Sequence, residues 1–132
     1  MYTMRQACKE VQMTYETLKF YCNEGLVPNV KRNKNNHRVF DENDIAWIKS
    51  LTCLKNCGMS IQDMKIYIDL CLKGESTILQ RKIILHKQKD IILDKIKKLQ
   101  ESVDYIDGKQ QFYDDVLDGK INYYSNLIQV KE

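Results

Sequence analysis

No apolar run in the sequence approaches the roughly 18 residues that a bilayer-spanning helix needs, so membrane association is not expected. The N-terminal stretch MYTMRQACKE has no apolar core of the kind an export signal carries, so the expectation is a cytoplasmic protein with reduced cysteines. Proline occurs once and glycine five times, and neither low-complexity segments nor repeats break the chain into linkers. A Ser-His-Asp order, a phosphate loop and an HExxH motif are all missing, which leaves no support for an enzyme. The two histidines are far apart and no cysteine follows Cys71, so the convergent thiolate or imidazole ligands of a metal site are lacking. Neither a metal nor any other cofactor is expected. Five cysteines at positions 8, 22, 53, 57 and 71 form no regular disulfide framework.

What is present divides by charge. The 132 residues carry a formal net charge of +3, and residues 1–74, with 11 basic against 8 acidic side chains, account for all of it. The first 38 residues alone hold seven basic and three acidic groups, which points to a polyanionic partner at this end.

The pattern along the chain is mainly helical. A first helix over about Met4–Val11 carries Met4, Ala7, Cys8 and Val11 on one face, and Thr14 caps a second that ends before Gly25. Two short helices joined by a tight turn make a helix-turn-helix candidate. NVKRNKNNHRVF (29–40) suits a hairpin with NKNN at its tip. Asp41 with Asp44, then Ser60 with Asp63, are start signals for a third helix ending at Gly58 and a fourth ending near Gly74. From residue 77 onward Ile78, Leu85, Ile92, Leu99 and Ile106 recur every seven residues, and Tyr113 extends the series. The companion seam (Lys82, Lys89, Ile96, Val103, Gln110) is half polar. Heptads of this kind signal a coiled coil, about 60 Å long for 40 residues, and too long to be buried on a head of this size. A second copy is the expected partner, with Ile78, Leu85, Ile92, Ile96, Leu99, Val103 and Ile106 as dimerisation residues. Gly108 and Gly119 mark possible breaks. The expected domains are 1–74 (DNA-binding head), 75–119 (dimerisation helix) and 120–132 (a short tail).

The run TYETLKFYCNEGLVP, then HRVF, then DENDIAWIKSLTCLKNCGMSIQDM resembles the DNA-binding half of MerR-family transcriptional regulators. The match spans residues 2–70, and the long helix after it fits the family's antiparallel coiled-coil dimer. The resemblance implies a winged helix-turn-helix head that binds a pseudo-palindromic operator in double-stranded promoter DNA. It further implies activation by DNA distortion, with RNA polymerase as a partner. The family's Arg-Tyr-Tyr-Glu is here Lys19-Phe20-Tyr21-Cys22, the usual wing glycine is Asn36, and the wing aromatic is Phe40.

A recognition helix places its N-terminal part in the major groove while the wing meets the backbone. The expected outward side chains of the second helix are Tyr15, Glu16, Lys19, and Phe20 or Tyr21. Lys19 and Arg38 reach phosphates or guanine edges, and Tyr21 a phosphate. Lys31, Arg32, Lys34 and His37, around Asn36, add salt-sensitive affinity.

The metal-responsive members of the family begin the long helix with a cysteine; here it begins Glu75-Ser76-Thr77. A 13-residue tail is too short to enclose the ligand pocket of the multidrug-responsive members. The thiols remain. On the third helix Ile45, Trp47, Ile48, Leu51 and Leu54 share one side, and Cys53 and Cys57 fall nearly opposite. Cys53 occupies the position of the single cysteine in the aldehyde- and thiol-stress-responsive branch of the family, which this chain also resembles in length. Lys49 sits one turn earlier, where an ammonium favours the nucleophilic thiolate. The expectation is a sensor at Cys53 with Cys57 as a second thiol. Two alternatives stand beside it: a structural Cys53 in a regulator with another effector, and a coiled-coil interaction module whose head binds protein.

Overall fold

In the computed structural model, which describes residues 1–130, five α-helices and three short strands follow the order β1 (Tyr2–Thr3), α1 (Met4–Val11), α2 (Tyr15–Asn23), β2 (Lys31–Arg32), β3 (Arg38–Phe40), α3 (Glu42–Asn56), α4 (Ile61–Leu72), a 3-10 turn (Glu75–Thr77) and α5 (Ile78–Leu117). The chain divides into two compact units, Met1–Ile92 and a second that begins at Leu93.

Local chemistry sets the boundaries. Thr3 caps α1 and shares a capping box with Gln6, Thr14 caps α2, and Asp41 with Asp44 closes a box on α3. Ser60 receives the Asp63 amide at the start of α4. The α1–α2 turn passes through Gln12 at φ +57°, a left-handed conformation that costs a residue with a Cβ about 1 kcal/mol or more. The hairpin is antiparallel, with Arg32 opposite Arg38 and a five-residue connection, residues 33–37, that contains the expected NKNN and adds His37 to it. Asn36, at φ +63°, stands where the family's wing glycine is expected, which the short polar side chain of asparagine tolerates.

One strand was invisible in the sequence. Tyr2 and Thr3 pair with Phe40 and Val39, so β1 is the third strand of a sheet ordered β1-β3-β2 and ties the start of α1 to the wing. Two residues are too short to show an alternating pattern.

The core of the first unit is built from Ala7, Val11, Leu18, Leu26, Phe40, Ile45, Ile48, Leu51, Met64 and Ile68. Tyr21 belongs to it as well, at 2% exposure, so it does not face outward as expected; its position on the inner side of α2 overrides its polar hydroxyl. Cys8 and Cys22 pack against this core half-buried.

The first turns of α5 dock on the same unit by a face distinct from the heptad seam. Thr77 and Gln88 are buried and Ile84 packs on the core. Arg81 donates to the Gly74 carbonyl at 2.7 Å and to the Thr77 hydroxyl. The Gln88 amide donates to the Cys57 carbonyl at 2.6 Å, capping the end of α3. The seam itself stays open, with Ile78, Leu85, Ile96, Leu99, Val103 and Ile106 all exposed and Ile92 half-buried. Gly108 does not break the helix, which continues to Leu117; the turn comes at Gly119. In the second unit the tail returns on α5, with Tyr123 and Tyr124 rings 6.4 and 4.8 Å from that of Phe112.

Candidate nucleic-acid interface

The recognition-helix candidate presents Tyr15, Glu16, Lys19 and Phe20 to solvent and buries Leu18 and Tyr21. This is the alternation an amphipathic helix requires when one side closes a core and the other meets a ligand. The wing lies against it through one bond: the Arg38 guanidinium donates to the Asn23 side-chain oxygen at 2.6 Å. An arginine has five donors, so most of that guanidinium is uncommitted.

The wing tip is held by its own polar groups. Asn33 accepts from the Asn35 and His37 amides, and Arg32 donates to the Asn36 carbonyl at 2.8 Å. His37 and Lys34 are exposed.

Lys31 departs from the expectation of a DNA contact. Its ammonium lies 2.8 Å from Asp41 and 3.4 Å from Asp44, the second of which is buried. The pair raises the Lys31 pKa and lowers that of Asp41, chiefly through the hydrogen bond between them. A cation neutralised by two carboxylates has little to offer a phosphate, and Lys31 instead fixes the wing to the start of α3.

Arg5 and Thr3 enter the site unforeseen. A cleft of about 510 Å³ runs between the start of α1, Tyr15 and the wing, lined by Thr3, Arg5, Arg32, Asn36, His37 and Arg38 among others. Only the pairing of β1 with β3 brings Arg5 to the wing, so no linear motif signals it.

The thiols sit apart from this face. All five cysteines are free; Cys53 is exposed on α3 and Cys57 is half-buried. Lys49 is exposed one turn earlier, and among the described residues no hydrogen bond joins it to Cys53. Burial pushes the thiols of Cys8 and Cys22 up, and for Cys22 the Arg38 guanidinium acts against this. Among the described residues no group of three or more His, Cys, Asp or Glu side chains is placed to hold a metal ion. No helix among them is long and apolar enough to cross a membrane.

A winged helix-turn-helix head followed by a long helix defines a class of DNA-binding regulators. The sequence model of the MerR HTH family of regulatory proteins matches residues 2–71, and the chain belongs to that family. It is a MerR-type DNA-binding transcriptional regulator. A Haemophilus influenzae protein known as an uncharacterized HTH-type transcriptional regulator is 35% identical over 112 residues, 85% of this chain and 83% of that one. The HTH-type transcriptional regulator AdhR of Bacillus subtilis is 36% identical over 89 residues, 67% of this chain and 64% of its own length. Among solved structures, HiNmlR, described as a MerR family regulator lacking the sensor domain and bound to promoter DNA, is 34% identical with a TM-score of 0.73 over 87% of this chain and 91% of that one.

Proposed function

We propose that this regulator acts as a homodimer on a pseudo-palindromic operator in promoter DNA. It distorts the spacer so that RNA polymerase engages both promoter elements, and modification of a cysteine thiol triggers it. The observation that carries the DNA reading is the outer face of α2: Tyr15, Glu16, Lys19 and Phe20 stand exposed, and Tyr15 lines one cleft with the wing residues His37 and Arg38. That HiNmlR was solved on promoter DNA supports the DNA-binding reading. The open apolar seam of α5 supports a second copy as its cover, since a monomer gains nothing from exposing Leu99 at 66% and Ile106 at 55%.

Cys53 is the proposed sensor. It is the exposed thiol of the five, so an electrophile reaches it without opening the fold. The sulfur bonds to the electrophilic carbon as the carbonyl or conjugated π bond breaks; the thiol gives up its proton to solvent and the electrophile's oxygen takes one up, so the net change is addition. The adduct's bulk then falls one turn before Cys57, whose carbonyl is held by Gln88 of α5. The likeness to AdhR supports assignment to the aldehyde- and thiol-stress-responsive branch.

Gel shifts on promoter DNA test the reading. Lys19→Ala and Arg38→Ala each weaken binding at least several-fold, and unchanged affinity in both would remove the interface. For the trigger, promoter activity is compared in wild type and Cys53→Ser with and without formaldehyde, methylglyoxal or a quinone. An equal response in the two proteins would eliminate Cys53 as the sensor.

A further inference from the structure

The cleft between β1–α1 and the wing is better built than a chance gathering of surface cations. The strand pairing of Tyr2 with Phe40 and Thr3 with Val39 fixes the first turn of α1 against the strand that carries Arg38. Arg5 then lines the same cleft as Arg32, His37 and Arg38. Among the described residues no acidic side chain lines it. Arg32 and Arg38 each spend one bond on the protein, to the Asn36 carbonyl and the Asn23 side chain, and these bonds orient the guanidinium groups without neutralising them. Arg5 is exposed and, among the described residues, has no hydrogen-bond or ion-pair partner. The contrast with Lys31, a wing cation committed to Asp41 and Asp44, shows that the fold distinguishes structural from uncommitted charge.

We propose that this cleft seats a backbone phosphate of duplex DNA, and that Arg5 is a DNA contact supplied by α1, a third element beside the recognition helix and the wing. The inference rests on the DNA-binding reading above. The phosphate belongs to DNA because Tyr15, at the start of the recognition helix, forms a wall of the same cleft. A helix placed in the major groove therefore brings the flanking backbone to the cleft. The wing tip is already ordered by Asn33 and Arg32, so little conformational freedom is lost when the phosphate arrives. A phosphate contact carries no sequence information, so Arg5 sets affinity and register rather than operator choice.

The test is the salt dependence of binding, measured by fluorescence anisotropy with the full chain on an operator duplex and on a random duplex. Each neutralised phosphate contributes about 0.9 to the slope of log affinity against log salt. Arg5→Gln should flatten the slope by about that amount on both duplexes, so that the wild-type advantage shrinks about threefold between about 50 and about 200 mM salt. Arg5→Lys should restore the slope, and Lys31→Gln should leave it at the wild-type value. A slope unchanged in Arg5→Gln, with Lys19→Ala still weakening binding, would overturn the inference and leave the DNA reading intact. Absence of wild-type binding to either duplex would overturn both. Saturable binding of inorganic phosphate to the DNA-free protein, together with an unchanged DNA slope in Arg5→Gln, would assign the cleft to a free anion and also overturn the inference.

Discussion

At the scale of single residues, the same chemical type does different work according to what it touches. Tyr21 was expected at a phosphate, yet its ring closes the core and among the described residues its buried hydroxyl has no hydrogen-bond partner. Leaving such a group unpaired costs about 1–3 kcal/mol. Tyr21→Phe should therefore be neutral or stabilising, by up to about 1 kcal/mol, with operator affinity unchanged. Denaturant melts and gel shifts check the two parts separately. Lys31 and Asp41 offer a pH test. The Asp41 carboxyl is held below its ordinary value of 3.8, so its contribution to stability is present above that value and is lost as the pH falls through the folded pKa. Thermal unfolding between about pH 5 and about pH 1 should show a shallower acid decline in Asp41→Asn than in wild type. An identical decline would mean that the pair contributes nothing.

Among the elements, those with strong local signals were legible and those defined by distant pairing were not. Thr14, Asp41 and Ser60 announce the starts of α2, α3 and α4 because a capping side chain acts within three residues of itself. NKNN announces the hairpin tip for the same reason. β1 leaves no such trace, since its two residues are a strand only by virtue of Val39 and Phe40, and Arg5 stays hidden in the sequence with it. Gly108 misled in the other direction: one glycine costs a helix about 1 kcal/mol, which a 40-residue helix absorbs. The docking face of α5 and the turn before it was also missed, because Thr77 of that turn and Arg81 and Gln88 of α5 are polar and a search for apolar periodicity passes over them. Gln88→Leu should cost about 1–3 kcal/mol, since the Cys57 carbonyl loses its donor. Gln88→Glu should cost more, because it sets a carboxylate against that carbonyl. Urea midpoints of the two variants check the order.

For the molecule as a whole, two surfaces remain open in the single chain: the basic face of the head and the apolar seam of α5. DNA is the proposed occupant of the first and a second copy of the chain that of the second. Leu99→Glu places a charge in the middle of the exposed seam and should shift the protein toward monomer in sedimentation analysis, while the head keeps its fold by circular dichroism. Operator affinity should fall with it, because two half-sites are then bound independently. The most direct test of the central claim is footprinting of the purified protein on the promoters of its own and neighbouring genes. The expected result is protection of two inverted half-sites within a promoter spacer, with altered cleavage between them where the DNA is distorted. A protein that protects none of these promoters would contradict it.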